Sequence, residues 1–123
     1  PKSDLTEPVL EAINKTTAAG VRIVGPQSLG LMTPSEGLNL SYLPSLPPAG
    51  EVGLVSQSPG LSCTIIDYVT NAQCGFSHVI DPGFEQVLTV ADYVDMLAFA
   101  KPAVSFFTSS LSSSRENCCP LFD

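Results

Sequence analysis

The chain has few basic residues. Its 123 residues include 5 Lys and Arg against 12 Asp and Glu, which gives a formal net charge of −7. Proteins that bind a nucleic-acid backbone neutralise its phosphates with clustered cations, so this deficit argues against nucleic acid as a partner. A polyphosphate ligand would have to be held by backbone N–H groups and metal ions, or by cations from outside this sequence.

Long apolar runs are also absent. No run approaches the roughly 18 residues of a membrane span, and the first residues, PKSD, lack the basic and apolar regions of a signal peptide. With 44% hydrophobic and 14% charged residues, the composition indicates a globular protein with a packed core. We therefore expect a soluble, cytoplasmic protein with no membrane partner.

Cysteine and histidine are too sparse to suggest a metal centre. The 4 cysteines form no CxxC pair and His78 is the single histidine, so neither a zinc site nor a disulfide framework is predicted. All four, Cys63, Cys74, Cys118 and Cys119, are interpreted as reduced thiols, and Cys63 and Cys74 also as small core residues. The sequence shows no base close to a cysteine that could activate its thiol. The sequence therefore predicts no metal ligand and no catalytic cysteine.

What the sequence does contain is an alternation of helices with short apolar strands. Thr6 is predicted to cap a first helix that Gly20 ends, and residues 21–24 are predicted to form a strand. Residues 33–50, rich in proline and glycine, indicate a linker or domain boundary in which only residues 39–42 look ordered. The later predicted elements are strands over 52–56, 76–80 and about 103–107, and helices over about 60–71 and after a Thr89 cap with Asp92 at its third position.

The repeated strand-helix unit after residue 50 predicts an α/β protein with a doubly wound, three-layer parallel sheet. Its three predicted strands are fewer than the roughly five of an average sheet, so the sheet is expected to be incomplete. Uncovered strand edges and helix faces call for a further domain or a partner chain.

The most informative segment is VGLVSQSPGL, residues 52–61, where an apolar strand enters a small polar turn that opens a helix. Such a turn presents backbone N–H groups and the positive end of a helix dipole, which suits a phosphate group. The alternative is a plain helix cap formed by Ser58, with Pro59 at the first helical position. Because Pro59 has no N–H, it removes one potential donor from the turn.

Five segments together resemble a known family. They are GVRIVGPQSLGL (20–31), LNLSY (38–42), GEVGLVSQS (50–58), GFSHV (75–79) and VADYVDML (90–97). In this order they closely resemble the CoA ligase region of ADP-forming acetyl-CoA synthetases, relatives of the succinyl-CoA synthetase α subunit. The resemblance covers about residues 5–104.

The resemblance implies a reversible reaction of acyl-CoA, ADP and phosphate to acid, CoA and ATP, through an acyl phosphate and a phosphorylated histidine. The implied cofactors are CoA, ATP or ADP, and Mg²⁺. On this basis residues 1–34 are the last helix and strand of a CoA-binding Rossmann domain, 35–49 a linker, 50–107 a partial flavodoxin-like ligase domain, and 108–123 a divergent serine-rich tail. The chain would be a fragment, inactive alone, that works with the remaining domains or a partner subunit on a small acid or its acyl-CoA.

The resemblance also assigns two sets of site residues. The turn near the reacting end of CoA comprises Gly25, Pro26, Gln27, Ser28 and Gly30, with Gln27 where the family has Asn. The turn facing the phosphorylated histidine comprises Ser56, Gln57, Ser58, Gly60 and Leu61, with Pro59 replacing a glycine. The phosphorylated histidine itself lies in a later family segment, so His78 is interpreted as a packed strand residue. Asp92 is interpreted as a first-turn helix residue and Asp95 as a solvated or interface carboxylate.

Two other functions stay open at this point. One is a non-catalytic module that senses CoA or phosphate, as in the synthetase-like regions of some protein lysine acetyltransferases, to which Gln27 and Pro59 would be suited. The other is a structural remnant that binds no ligand.

Overall fold

The computed structural model describes residues 5–85 and 87–108. Helices and strands alternate through most of this range. The helices are α1 (Glu7–Ala18), α2 (Pro59–Asn71) and α3 (Val90–Ala100); the strands are β1 (Gly30–Thr33), β2 (Leu38–Ser41), β3 (Ala49–Ser56), β4 (Phe76–Asp81) and β5 (Val104–Thr108). All the elements predicted after residue 50 are therefore confirmed, with ends that shift by a few residues. The predicted serine-rich tail lies almost entirely outside the described residues, as do Cys118 and Cys119.

The strands form one five-stranded sheet in the order β2-β1-β4-β3-β5. Strand β3 is parallel to both β4 and β5, whereas β1 is antiparallel to β2 and to β4. The α/β class and the parallel pairing of the strands predicted after residue 50 are confirmed, but the whole sheet is mixed, since β1 and β2, which the sequence did not predict as strands, join it in the antiparallel sense. The reason is the short β1–β2 connection, a 3-10 turn over Pro34–Glu36 closed by Gly37 at a φ of 68°, which permits only an antiparallel pair.

Two apolar clusters lie on opposite faces of the sheet. The cluster on the α2 side contains Leu29, Met32, Leu54, Val69, Phe76 and Val79. The cluster on the α3 side contains Val55, Ile80, Tyr93 and Leu97. Helices α2 and α3 thus cover opposite faces, which confirms the three-layer, doubly wound arrangement.

The strand predicted over residues 21–24 is absent. These residues lie outside the strands, because no other described strand pairs with them. Instead, the next residues supply the hairpin of β1 and β2, which lies within and beside the segment predicted as a linker. Part of that segment is therefore ordered within the sheet. The boundaries proposed for the two domains stay a prediction.

The ends of the helices follow their sequence signals. Ser58 caps α2, and Thr89 caps α3 in a reciprocal arrangement with Asp92. At the end of α1, the Gly20 N–H donates to the Thr17 carbonyl at 2.9 Å. Within residues 5–85 and 87–108, no helix has the length and apolarity to cross a membrane.

Candidate functional site

Both predicted ligand-facing turns lie at one edge of the sheet. Strands β3 and β4 run parallel and end at Ser56 and Asp81, and the first turn of α2 follows β3 directly. The turn over residues 25–30 packs against the loop that follows β4. Ligands of open α/β sheets bind at this carboxyl edge, so the sheet brings the two sets of residues to the expected place.

The turn after β3 is closed by its own hydrogen bonds. The Ser58 N–H donates to the Ser56 hydroxyl at 3.2 Å, and the Leu61 N–H donates to the Ser58 hydroxyl at 3.4 Å. The helix-cap interpretation of Ser58 is therefore confirmed, with Pro59 beginning the helix. The Leu61 N–H is engaged in the cap and is less available to a ligand than the sequence suggested.

Gly60 is the open position of this turn. Apart from its chain neighbours and the backbone of α2, no atom lies within 4 Å of where a Cβ of residue 60 would be, so there is free space on this side of the helix. Its N–H has no partner among the described residues and belongs to the first turn of a 13-residue helix. Gly60 therefore offers a backbone donor and the positive helix end to an anion.

The turn over residues 25–30 is held by backbone hydrogen bonds. The Gly25 N–H donates to the Pro82 carbonyl at 3.1 Å, and the Phe84 N–H donates to the Pro26 carbonyl at 2.8 Å. At the other end of the turn, the Gly30 N–H donates to the Ser28 hydroxyl at 2.8 Å. Of the side chains in this turn, that of Gln27 is exposed, at a left-handed φ of 57°.

Asp81, which the sequence interpretation missed, lies beneath this turn. Its carboxylate is fully buried, with 0% exposure. One oxygen accepts the Leu29 N–H at 2.8 Å and the other accepts the Gly83 N–H at 2.8 Å. The main-chain carbonyl of Asp81 also accepts the Ser28 hydroxyl. An acidic residue directly after an apolar strand, followed by Pro-Gly, was the signal available in the sequence.

Glu85 connects the loop after β4 to the other turn. Its carboxylate accepts a hydrogen bond from the Gln57 side-chain amide. The candidate site therefore comprises the two turns predicted from the sequence and an intervening loop, residues 81–85, that was not predicted.

Tyr93 is buried beside these carboxylates. It is 6% exposed, and its hydroxyl has no hydrogen-bond partner among the described residues. Burial raises the pKa of Tyr93 above its ordinary value, and the negative charges of Asp92, Asp81 and Glu85 raise it further. The phenol thus stays protonated and neutral near neutral pH.

The other titratable residues singled out from the sequence lie apart from the two turns. His78 is half-buried within β4 opposite Gly53, and its Nδ1 has no partner in the described structure. Asp92 caps α3, where hydrogen bonds from the Thr89 backbone and hydroxyl lower the pKa of its carboxyl. Asp95 is exposed. His78 thus lies inside a strand, as expected, and away from the carboxyl edge of the sheet.

A cleft of about 460 Å³ opens between the turn over residues 25–30 and the β1–β2 hairpin. Its walls are formed by Val24, Pro26, Gln27, Ser28, Leu29, Gly30, Leu31, Leu40, Ser41 and Tyr42. The lining is mainly apolar with a few amide and hydroxyl groups, the character of a small-molecule site. Across residues 5–85 and 87–108, no group of at least three His, Cys, Asp or Glu side chains could hold a metal ion.

Comparison with known proteins identifies the family. Residues 49–113, more than half of the chain, match the succinyl-CoA ligase like flavodoxin domain. The chain belongs to this family. The matched part includes β3, α2, β4, α3 and β5 and therefore the Ser56–Leu61 turn of the candidate site.

Relatives of this flavodoxin-like ligase domain are larger enzymes. The chain is 32% identical over 75 residues to the ADP-forming acetate–CoA ligase of Methanocaldococcus jannaschii, covering 61% of this chain and 11% of that protein. It is 29% identical over 98 residues to the α subunit of ADP-forming acetate–CoA ligase II of Pyrococcus furiosus, covering 78% of this chain and 21% of that subunit.

A solved structure supports the same grouping. It is the dinucleotide-forming acetyl-coenzyme A synthetase 1 of Ca. Korarchaeum cryptofilum in complex with phosphate and ADP. The likeness has a TM-score of 0.65 with 25% identity and covers 73% of this chain and 20% of that chain. The chain therefore spans about a tenth to a fifth of the length of these relatives.

Proposed function

We propose that this chain is a segment of an ADP-forming acyl-CoA ligase that contributes a surface facing CoA and a phosphorylated histidine. The observation that carries the proposal is the convergence of the two turns, residues 25–30 and 56–61, at the carboxyl edge of β3 and β4. The relatives that the chain resembles act on acetate and CoA, which supports the same substrate class here.

In this proposal the first turn of α2 binds the phosphoryl group. The Gly60 N–H and the helix dipole stabilise negative charge, and the free space beside Gly60 accommodates phosphate oxygens. Pro59 supplies no N–H and Leu61 donates to Ser58, so the site has few backbone donors. Phosphate binding by the chain alone is therefore expected to be weak.

The turn over residues 25–30 would position the thiol end of CoA. Five of its six residues, all except Gly25, line the cleft, and the exposed Gln27 amide can donate a hydrogen bond into it. An orienting amide matters here because a displacement of about 1 Å of a positioned group is enough to slow a reaction strongly.

The chain is proposed to be inactive alone. Its single histidine, His78, lies within β4 and not at the edge where the turns meet, so it is not placed to carry the phosphoryl group. The nucleotide and Mg²⁺ would be bound by the remaining domains or a partner subunit, because the described residues offer no metal-binding group. The proposed location of the complete enzyme is the cytoplasm.

The proposal is tested by following the backbone amides of the ¹⁵N-labelled chain by NMR during titration with inorganic phosphate and with CoA. Phosphate should shift the Gly60 amide, and CoA should shift the amides of residues 25–30. Pro59→Gly restores a donor and should strengthen phosphate binding severalfold, about the effect of one added hydrogen bond to a charged group. Asp67→Asn, at an exposed position later in α2, is the matched control. Unchanged spectra with both ligands at millimolar concentration would contradict the proposal.

A second function is a non-catalytic module that senses CoA or phosphate. The observation in its favour is that the Ser58 hydroxyl and the Leu61 N–H bond to each other in the helix cap. They are therefore less available as donors to a developing negative charge, and losing such donors harms catalysis more than ligand binding. The longer protein, expressed together with its own flanking sequence, separates the two functions. Binding of CoA without ATP formation from acetyl-CoA, ADP and phosphate favours the module, whereas turnover favours the ligase.

A further inference from the structure

We propose that Asp81 is a positioning residue that fixes the turn over residues 25–30 relative to the phosphate-facing turn over residues 56–61. This inference rests on the proposed function for its consequence, but its structural part can be tested without any ligand. It concerns a residue outside both sets of predicted site residues.

The first step concerns how the buried charge of Asp81 is stabilised. A carboxylate with 0% exposure is costly unless hydrogen bonds replace its lost hydration. Here it accepts hydrogen bonds from the N–H groups of Leu29 and Gly83, each at 2.8 Å. Hydrogen bonds to a charged acceptor are about twice as strong as neutral ones. The same carboxylate therefore fastens two different loops to the end of β4.

The second step is that the turn and the loop after β4 cannot move independently. The Ser28 hydroxyl donates to the Asp81 carbonyl, and two backbone hydrogen bonds join Gly25 and Pro26 to Pro82 and Phe84. The approach is so close that a Cβ added at Gly83 would lie 2.3 Å from the Pro26 carbonyl oxygen. The position of Asp81 thus sets the position of the whole turn.

The third step links this unit to the phosphate-facing turn. Glu85 follows Asp81 by one short loop and accepts a hydrogen bond from the Gln57 side chain. Gln57 lies next to Ser58, the cap of α2. A change at the start of α2 is therefore transmitted through residues 81–85 to residues 25–30, provided that the Asp81 carboxylate holds both ends.

Asparagine cannot replace this carboxylate. It retains one oxygen acceptor, but its amide group points hydrogens at the second N–H and leaves that donor unpaired. Asp81→Asn is nearly the same size as aspartate, so it removes the double acceptor without creating a cavity. Asp95→Asn, at an exposed position on α3, changes the net charge equally and is the matched control.

The first experiment measures amide hydrogen exchange of the ligand-free chain. In Asp81→Asn, exchange should become at least about tenfold faster at whichever of the Leu29 and Gly83 amides loses its acceptor, as expected for the loss of a hydrogen bond to a charged group. Amides in the cores of α2 and α3 should exchange as before, and Asp95→Asn should match the parent chain. Equal protection of Leu29 and Gly83 in Asp81→Asn and parent would overturn the inference, whatever the chain binds.

The second experiment has a readout that a merely structural function of Asp81 would not move. Inorganic phosphate is titrated while the amides of Gly60 and of Leu29 are followed by NMR. In the parent and in Asp95→Asn both amides should shift together. In Asp81→Asn the Gly60 shift should remain while the Leu29 shift is lost. A Leu29 response retained in Asp81→Asn would contradict the inference.

Two further results are informative. If Gly60 fails to respond in the parent chain, the proposed phosphate site is wrong, and the exchange measurement alone decides the structural part of the inference. If Asp81→Asn does not fold, Ser28→Ala replaces it, because it removes the hydroxyl between the Asp81 carbonyl and the Gly30 N–H from the turn side. It should give the same loss of the Leu29 response in a milder form, and an unchanged Leu29 response would count against the inference.

Discussion

Helix α1 and the two later helices have similar sequence patterns and different environments. The apolar residues of α1 are more sharply segregated to one side than those of α2 or α3. Nevertheless, none of its 12 residues is buried, whereas α2 and α3 each bury two, among them Val69 and Leu97. An amphipathic pattern therefore predicts that a helix forms, but burial requires a partner surface, and in the described chain only the sheet provides one.

The largest expected difference comes from matched leucine truncations. Leu97→Ala in α3 removes a side chain that is 1% exposed and packs on Val55 and Ile80, which should cost about 2–5 kcal/mol of unfolding free energy. Leu10→Ala in α1 removes a half-buried side chain and should cost less than about 1 kcal/mol. Urea denaturation followed by circular dichroism measures both. Equal losses would show that α1 is as well packed as α3.

The next largest difference in stability is expected between alanine substitutions at two glycines, Gly20 and Gly83, that both have a left-handed backbone conformation. Gly20 follows α1 at a φ of 82° with no atom near its missing Cβ, so Gly20→Ala should cost only the backbone strain, about 1 kcal/mol. Gly83, at a φ of 62°, also faces the Pro26 carbonyl, so Gly83→Ala should cost about 2–4 kcal/mol. Thermal denaturation of the two variants gives the comparison. A Gly83→Ala variant no less stable than Gly20→Ala would disprove the close approach of the two loops.

Helix caps provide a smaller difference. The Thr89 hydroxyl accepts from the Asp92 N–H, whereas Thr6 caps α1 without a side-chain hydrogen bond. Thr89→Ala should therefore lower the unfolding free energy by about 1 kcal/mol, and Thr6→Ala by less than about 0.5 kcal/mol. The same denaturation measurement suffices. A larger loss for Thr6→Ala would mean that α1 contributes more to stability than its exposure implies.

The smallest effect is a pH dependence that belongs to α3 alone. Hydrogen bonds from the Thr89 backbone and then its hydroxyl lower the pKa of Asp92 below its ordinary value of 3.8. The folded state therefore gains stability from this carboxylate above that value and loses it as the pH falls through the lowered pKa. Stability measured across this acidic range should fall less steeply in Asp92→Asn than in the parent. Parallel pH profiles would contradict the assignment.

The sequence predicted the fold best where one local signal and one apolar strand coincide. Ser58 with Pro59 and Thr89 with Asp92 mark helix starts through short-range hydrogen bonds, and the structure confirms both. The apolar strand at 52–56 lies inside the sheet, between β4 and β5, where burial on both faces leaves a continuous apolar run. Such features depend on neighbours in the chain and are therefore visible in a single sequence.

The failures arose where pairing between distant segments decides the structure. Residues 21–24 are as apolar as a strand but find no partner within the described chain, while residues 30–33 pair on one side with residues 38–41 and on the other with β4. Which segments pair as strands depends on contacts with distant parts of the chain, so it cannot be predicted from local composition. Residues 33–50 were predicted to be a linker because most of their prolines and glycines lie in turns and loops, and these residues obscured the short strand β2 between them.

Only part of the candidate site was predicted from the sequence. Its two turns were found through the resemblance to a family, whereas Asp81 and Glu85 were missed because their importance comes from contacts with Leu29 and Gln57, far away in the chain. A buried carboxylate between two loops has no signature in sequence beyond its position at the end of a strand. The contacts of Asp81 with Leu29 and Gly83 become visible only in the folded structure.

The strand pairing at the start of the sheet has a mechanical consequence for any domain that precedes α1. Motion between two domains requires a hinge, and the proline-rich segment after β1 is tied into the sheet by strand β2. Within the described residues, residues 22–24 make no backbone hydrogen bond and lie between α1 and the clasped turn at 25–30. Any rotation of α1, and of a domain preceding it, would therefore pivot on these three residues and leave the carboxyl edge of the sheet unchanged.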